Sequence, residues 1–266
     1  MNIGLLLSFI FAIMVQAVLP IVLAFIIIKK LKASWTLISV GSLIYISGQA
    51  LIMFIPDLLA QQGIVLFPEE ATTSMQTIIT ATLMIAIIEE TCRYVAYTLL
   101  KQPSQDVIPS VTIGLGHGGF ECLISAGMPI TMMVVAMVVA QFYPETLTTQ
   151  GVDQSVIDSF WSTAWYVPVL GALGRLAMVG NHIFLSFLVM RVFQQKNYLY
   201  LLAAMAWHGV IYFMGMYLSS LNYSNELINL VLIGSGFISL YLLYLMVGKE
   251  LIAAWTGQPK AKLAEE

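Results

Sequence analysis

Three histidines and a Glu-Glu-Arg cluster are the residues of this chain best equipped for chemistry. His117, His182 and His208 are its whole histidine complement, and each lies in a long apolar run: GLGHGGFEC, which also holds Glu121, then GNHIFLS, then AWHGV. A further run reads IIEETCRY and carries Glu89, Glu90 and Arg93. Glu89 and Arg93 are spaced i, i+4 and Glu90 and Arg93 i, i+3, so on a helix all three share about one turn. Such groups could do hydrolytic chemistry in two ways. A buried carboxylate could take a proton from water, with histidine as partner or as oxyanion donor. Alternatively, the imidazoles (His117, His182 and His208 as candidate zinc ligands) and a carboxylate could hold Zn²⁺, which takes about four N, O or S ligands and acidifies its bound water. There is no HExxH, so zinc ligands would have to come from separate helices, and spacing alone does not choose between the two.

The elements that must position these groups are membrane helices. Of the 266 residues 59% are hydrophobic and 9% charged, against roughly 45–50% and about 25% in ordinary globular domains. That excludes a soluble nucleic-acid binder, a cytosolic dinucleotide-binding enzyme and a disordered chain. Runs of the roughly 20 apolar residues needed to cross the hydrocarbon core fall at about 2–28, 35–59, 72–100, 107–140, 161–190, 198–220 and 226–247. The expected fold is an all-α polytopic bundle of about seven transmembrane helices, a single transmembrane domain over 1–266 with its catalytic core in spans three to six, about 72–220. The fourth and fifth runs are over-long, which predicts tilt, interfacial extension, or a break near Pro129 in one and near Pro168, Gly171 and Gly174 in the other.

Charge placement sets the orientation. Lys29, Lys30, Lys32, Lys101, Arg191, Lys196, Lys249, Lys260 and Lys262 fall on one side, and Asp57, Glu69, Glu70, Glu145, Asp153, Asp158 and Glu226 on the other. By the positive-inside rule the basic side is cytoplasmic, which puts the N-terminus outside and the C-terminus inside. The first run ends in lysines with no cleavage site and reads as an uncleaved anchor. Counting from the nearest charge on the basic side, Glu89, His117, His182 and His208 all lie roughly 14–18 Å deep at about 1.5 Å per residue. Four helices therefore bring titratable groups to one layer, and a shared polar cavity costs less than burying each alone.

Each piece also has a structural reading. Glu90 and Arg93 could be an ion pair that fixes packing, each histidine could be a satisfied hydrogen-bond partner, and His117 and Glu121, spaced i, i+4, could satisfy each other. Gly114, Gly116 and Gly119 match GxGxxG but follow no strand, so they read as sites of close helix approach. Arg175, two turns before His182, could pair with a carboxylate, orient a substrate or snorkel. Cys92 and Cys122 read as small packing residues.

The EExxR of Glu89, Glu90 and Arg93, the GxGHGGFE around His117 and Glu121, the HIFLS at His182 and the WH of His208 resemble the YhfC family of intramembrane peptidases. That family is related to PrsW site-1 proteases and to CAAX-processing membrane proteases. The resemblance covers spans three to six and implies proteolysis in or at the membrane. Glu89 would activate water, Glu90 and Arg93 would support it, and His117, Glu121, His182 and His208 would complete the site. CAAX-type enzymes carry EExxxR and HxxxN, whereas here Tyr212 follows His208 by four residues and Ser186 follows His182.

The expected function is an intramembrane protease, metallo- or glutamate-type, with zinc as candidate cofactor. Its partners would be a membrane-anchored or membrane-adjacent peptide and the bilayer, with no nucleic acid, in a prokaryotic plasma membrane. The main rival is a proton- or metal-coupled transporter, against which the absence of repeated halves and the convergence on a single layer both weigh. A seven-span receptor lacks a lysine for a Schiff base, and a relic scaffold would keep the helices without activity.

Overall fold

In hydrocarbon every backbone N–H and C=O must be paired within its own segment, so apolar runs of this length have little choice but to be helical. A computed structural model describes residues 2–67, 74–100, 107–143, 145, 149 and 151–257 of the chain, and among them there is helix and no strand. In chain order the helices are α1 (Ile3–Leu31), α2 (Trp35–Ala60), α3 (Met75–Leu99), α4 (Ile108–Phe142), α5 (Gln154–Ser162), α6 (Tyr166–Gln195), α7 (Leu199–Ser220) and α8 (Asn225–Thr256). Asn2, Ser34, Ser74, Asp153 and Ser224 cap the N-termini of α1, α2, α3, α5 and α8, each accepting a backbone N–H through its side chain. That pairs one of the donors a helix start leaves free.

Six helices, α1, α2, α4, α6, α7 and α8, are long and apolar enough to cross a membrane. The protein is a multi-pass membrane protein. α3 has 25 residues, carries Glu89, Glu90 and Arg93 in its second half, and is not among the six. A seventh crossing and the outside N-terminus rest on the charge pattern, of which Glu69, Glu70, Lys101, Lys260 and Lys262 lie outside the described residues, as does Asp106.

The over-long fourth run does change register near Pro129: residues Leu123–Gly127 are π-helical. Proline lacks an N–H and crowds the carbonyl one turn back, and the wider turn absorbs both. Pro20 in α1 is preceded by the same device at Met14–Val18. Of the alternatives for the fifth run, a break near Pro168, Gly171 and Gly174 does not occur. Pro168 is the third residue of α6, where its missing N–H would have had no helical partner, and α6 runs unbroken from Tyr166 to Gln195. The stretch from 161, expected to open that span, instead closes the short α5, and α6 begins at Tyr166 after Thr163 leaves helical geometry.

α4 and α6 form the centre. The first half of α4 is buried almost throughout and packs between α2 and α6, while α6 also carries α8 along its length and meets α1 and α7. α3 lies against α2 and α7. A core of Ile44, Tyr97, Ile113, Phe184, Leu185, Phe187, Val189 and Met190 joins these helices just beside the polar layer.

Candidate active site

The polar residues named from the sequence meet in one place. Glu89, Glu90 and Arg93 come from α3, His117 and Glu121 from α4, His182 from α6 and His208 from α7, and none is more than 5% exposed. The two adjacent glutamates separate at once, because neighbours on a helix point about 100° apart. Glu90 takes the Nη1 of Arg93 and, through Oε1, the Nδ1 of His208 at 2.8 Å. Glu89 faces the other way. Its Oε1 accepts a hydrogen bond from Gln49 Nε2 of α2 at 3.1 Å, and its Oε2 lies 3.2 Å from His117 Nε2 and 3.8 Å from His208 Nε2.

His117 and His182 stack with ring centroids 4.2 Å apart and planes 23° from parallel. Behind them Arg93 Nη2 lies 3.3 Å from His117 Nδ1 and 3.1 Å from His182 Nδ1. In front, both Nε2 atoms turn toward carboxylates, His117 toward Glu89 and His182 toward Glu121 Oε2 at 2.6 Å. The i, i+4 pair His117 and Glu121 does not close on itself: each reaches a different neighbouring helix. Arg175, half-exposed, stands 3.7 Å from the other oxygen of Glu121.

Whether this set suits a metal is answered by the atoms left over. Glu89 Oε2, His117 Nε2, His182 Nε2, His208 Nε2 and Glu121 Oε2 are all buried, and none makes a well-formed hydrogen bond. Buried polar atoms are otherwise nearly always paired, so five unpaired ones in a single cluster fit the ligand shell of a metal ion. Glu89, His117 and His182 each offer a ligand atom within 4.8 Å of the other two. Two ligand atoms on one tetrahedral zinc lie about 3.3 Å apart given metal–ligand bonds of about 2.0–2.2 Å, and the 3.2 Å between His117 Nε2 and Glu89 Oε2 is close to that. The group contains Glu89 where the sequence pointed to His208, which stands one contact away.

Arg93 adds a condition. A guanidinium only donates, so a bond to either Nδ1 requires that nitrogen to accept and puts the ring proton on Nε2. A neutral ring that ligates through Nε2 carries its proton on Nδ1. Metal at Nε2 and Arg93 bonded at Nδ1 are therefore alternatives, and Glu90 is the anion that retains the guanidinium when the rings release it.

Sequence reasoning missed four positioning contacts. Gln49 sits in mid-span on α2, and Gly48 beside it leaves room for Glu89: a Cβ there would come within 3.0 Å of Glu89 Cγ. A glutamine deep in an apolar run was the available signal. The others form a chain across three helices: Trp207 Nε1 donates to Ser239 Oγ at 2.8 Å, Ser239 donates to Asn181 Oδ1 at 2.6 Å, and Asn181 Nδ2 donates to Ser235 at 2.9 Å. Asn181 and Trp207 are the immediate neighbours of His182 and His208.

A buried carboxylate and two imidazoles placed to share one ion, inside a bundle of membrane-crossing helices, define a class: a multi-pass membrane hydrolase with its site between the helices. The chain belongs to the YhfC intramembrane metalloprotease family, whose model matches residues 15–233. No curated protein and no solved structure matches it.

Proposed function

We propose that the protein hydrolyses a peptide bond in a membrane-anchored or membrane-adjacent substrate, with Glu89, His117 and His182 holding a zinc ion and Glu121 taking the proton of the attacking water. The convergence of unpaired Glu89 Oε2, His117 Nε2 and His182 Nε2 carries this reading. Bound zinc would polarise the scissile carbonyl and acidify water. The chain's own groups supply the rest. Gln49 holds Glu89 Oε1, so that Oε2 faces the centre. Glu121 Oε2 is an unpaired acceptor beside His182 and is placed to take a proton there. His208 donates Nδ1–H to Glu90, which leaves Nε2, turned toward Glu89, as an acceptor that can take a proton and, once protonated, give it to the leaving amine. Because these groups are sealed from solvent, charge developing on the substrate is stabilised by fixed dipoles rather than by mobile water.

One observation favours a second reading, a glutamate-type enzyme. With Arg93 bonded to both Nδ1 atoms, the ring protons lie on Nε2, and Glu89 rather than Glu121 becomes the base. Elemental analysis of detergent-purified protein from zinc-replete cells, paired with cleavage of a single-helix membrane reporter, separates the two. The zinc reading expects near-stoichiometric metal in the wild type, zinc retained but cleavage lowered about 10²-fold or more in Glu121→Gln, and both lost in Glu89→Gln. A zinc-free wild type that still cleaves moves the base to Glu89, and a wild type that neither holds zinc nor cleaves overturns both.

A further inference from the structure

We propose that Arg175 is the substrate-recognition cation of this site and binds a carboxylate next to the scissile bond. The inference deepens the peptidase reading and rests on it. Every reacting group is at most 5% exposed, yet the Arg175 side chain is 41% exposed and touches the cluster. Its nearest anion, Glu121 Oε1, is 3.7 Å away, too far for a hydrogen bond, and the guanidinium makes no hydrogen bond to any described residue. It is not snorkelling outward. A snorkelling arginine turns its head to the interface, whereas this one is turned toward Glu121, whose other oxygen meets His182 in the deeper layer.

The depth selects the ligand. α6 has 30 residues, and Arg175 lies about 8 Å from its midpoint at 1.5 Å per residue. Headgroup phosphates lie about 15 Å or more from the centre of a bilayer, so the anion that reaches five unpaired N–H donors here comes with a peptide. A carboxylate matches the guanidinium fork, and either an Asp or Glu side chain or a free C-terminus would supply one. Glu121 links this guanidinium to the centre: one of its oxygens lies 3.7 Å from Arg175 and the other 2.6 Å from His182 Nε2, so the cation borders the centre.

Three internally quenched apolar peptides test the proposal: one with an internal Glu and an amidated end, one with Gln and an amidated end, and one with Gln and a free C-terminal carboxylate. Binding to chelator-treated protein in nanodiscs is read by anisotropy, and cleavage by zinc-loaded protein gives kcat and KM. One acidic peptide should bind about tenfold tighter or more than the neutral one, and which of the two does so identifies the source of the carboxylate. Arg175→Gln should erase the preference in binding, and Arg175→Lys should keep part of it. Equal binding of all three peptides, or a preference that survives Arg175→Gln, overturns the proposal. An Arg175-dependent preference in binding with no cleavage by the wild type leaves the carboxylate site standing and removes the peptidase reading instead.

Discussion

Replacing His117, His182 and His208 one at a time by alanine separates a ligand from a neighbour of ligands. His117 and His182 belong to the group whose ligand atoms lie within 4.8 Å of one another. His208 Nε2 stands 3.8 Å from Glu89 Oε2, and the residue is not part of that group. Zinc in a closed four-ligand protein site is worth about 10–16 kcal/mol, or about 2.5–4 kcal/mol per ligand, so loss of one ligand lowers affinity about 10²- to 10³-fold. A residue that acts through the ligands costs about 10- to 100-fold. His117→Ala and His182→Ala should therefore weaken zinc binding about tenfold more than His208→Ala does, while His208→Ala loses cleavage with much of its zinc in place. Competition with a chromophoric chelator in detergent gives the three affinities, and circular dichroism establishes that each variant is helical. If His208→Ala loses zinc as completely as His117→Ala, the three-imidazole set read from the sequence is the true one and Glu89 is free to be the base.

Gln49→Ala removes the one side chain among the described residues that hydrogen-bonds Glu89 Oε1 and should lower kcat or zinc affinity about 10- to 100-fold at unchanged helicity; full activity would mean that Glu89 is oriented by its own backbone. Ser239→Ala deprives Trp207 of an acceptor and Asn181 of a donor. It should cost about 1–3 kcal/mol of stability, seen as a lower thermal midpoint in detergent, and weaken zinc binding, because the neighbours of His182 and His208 lose their common tie. An unchanged midpoint and unchanged zinc affinity would reduce that chain of hydrogen bonds to incidental packing.

What could be read from the sequence was depth, because rise per residue converts a count into a distance. Glu89, His117, His182 and His208 were expected in one layer on four helices, and they meet there. Rotation about each helix axis was not legible, since it depends on which neighbour a face packs against. That is why Glu89 and Glu90 could not be told apart until Gln49 was found on one side and Arg93 with His208 on the other. It is also why the i, i+4 spacing of His117 and Glu121 suggested a pair that the structure divides between α3 and α6. The register change before Pro129 was legible because proline forces it locally. Whether Pro168 breaks a helix was not legible, because its consequence depends on where the helix begins.

The glycines of α4 explain how short side chains from separate helices can share one point at all. A Cβ on Gly116 would collide with the carbonyl of Ile38 in α2, and one on Gly41 of α2 would collide with that of Ile113. Gly114 and Gly118, one turn apart, face α6 instead: a Cβ on Gly114 would strike Ile183 Cα, and one on Gly118 would stand 2.9 Å from Val179 Cα and 3.1 Å from His182 Cβ. Successive residues advance about 100°, so Gly114 and Gly118 mark one bare face, Gly116 marks another on the opposite side, and His117 projects between them. Ordinary helix packing keeps axes 8–10 Å apart, and side chains as short as histidine and glutamate would then meet only in pairs. Stripped of side chains on two faces, α4 lets α2 and α6 approach backbone to backbone. Gln49 from the one and His182 from the other are thereby drawn onto the same few ångströms that His117 occupies. The GxGHGG string is thus a packing device with His117 placed between the two faces, and its resemblance to a phosphate-binding loop is a coincidence of glycine spacing.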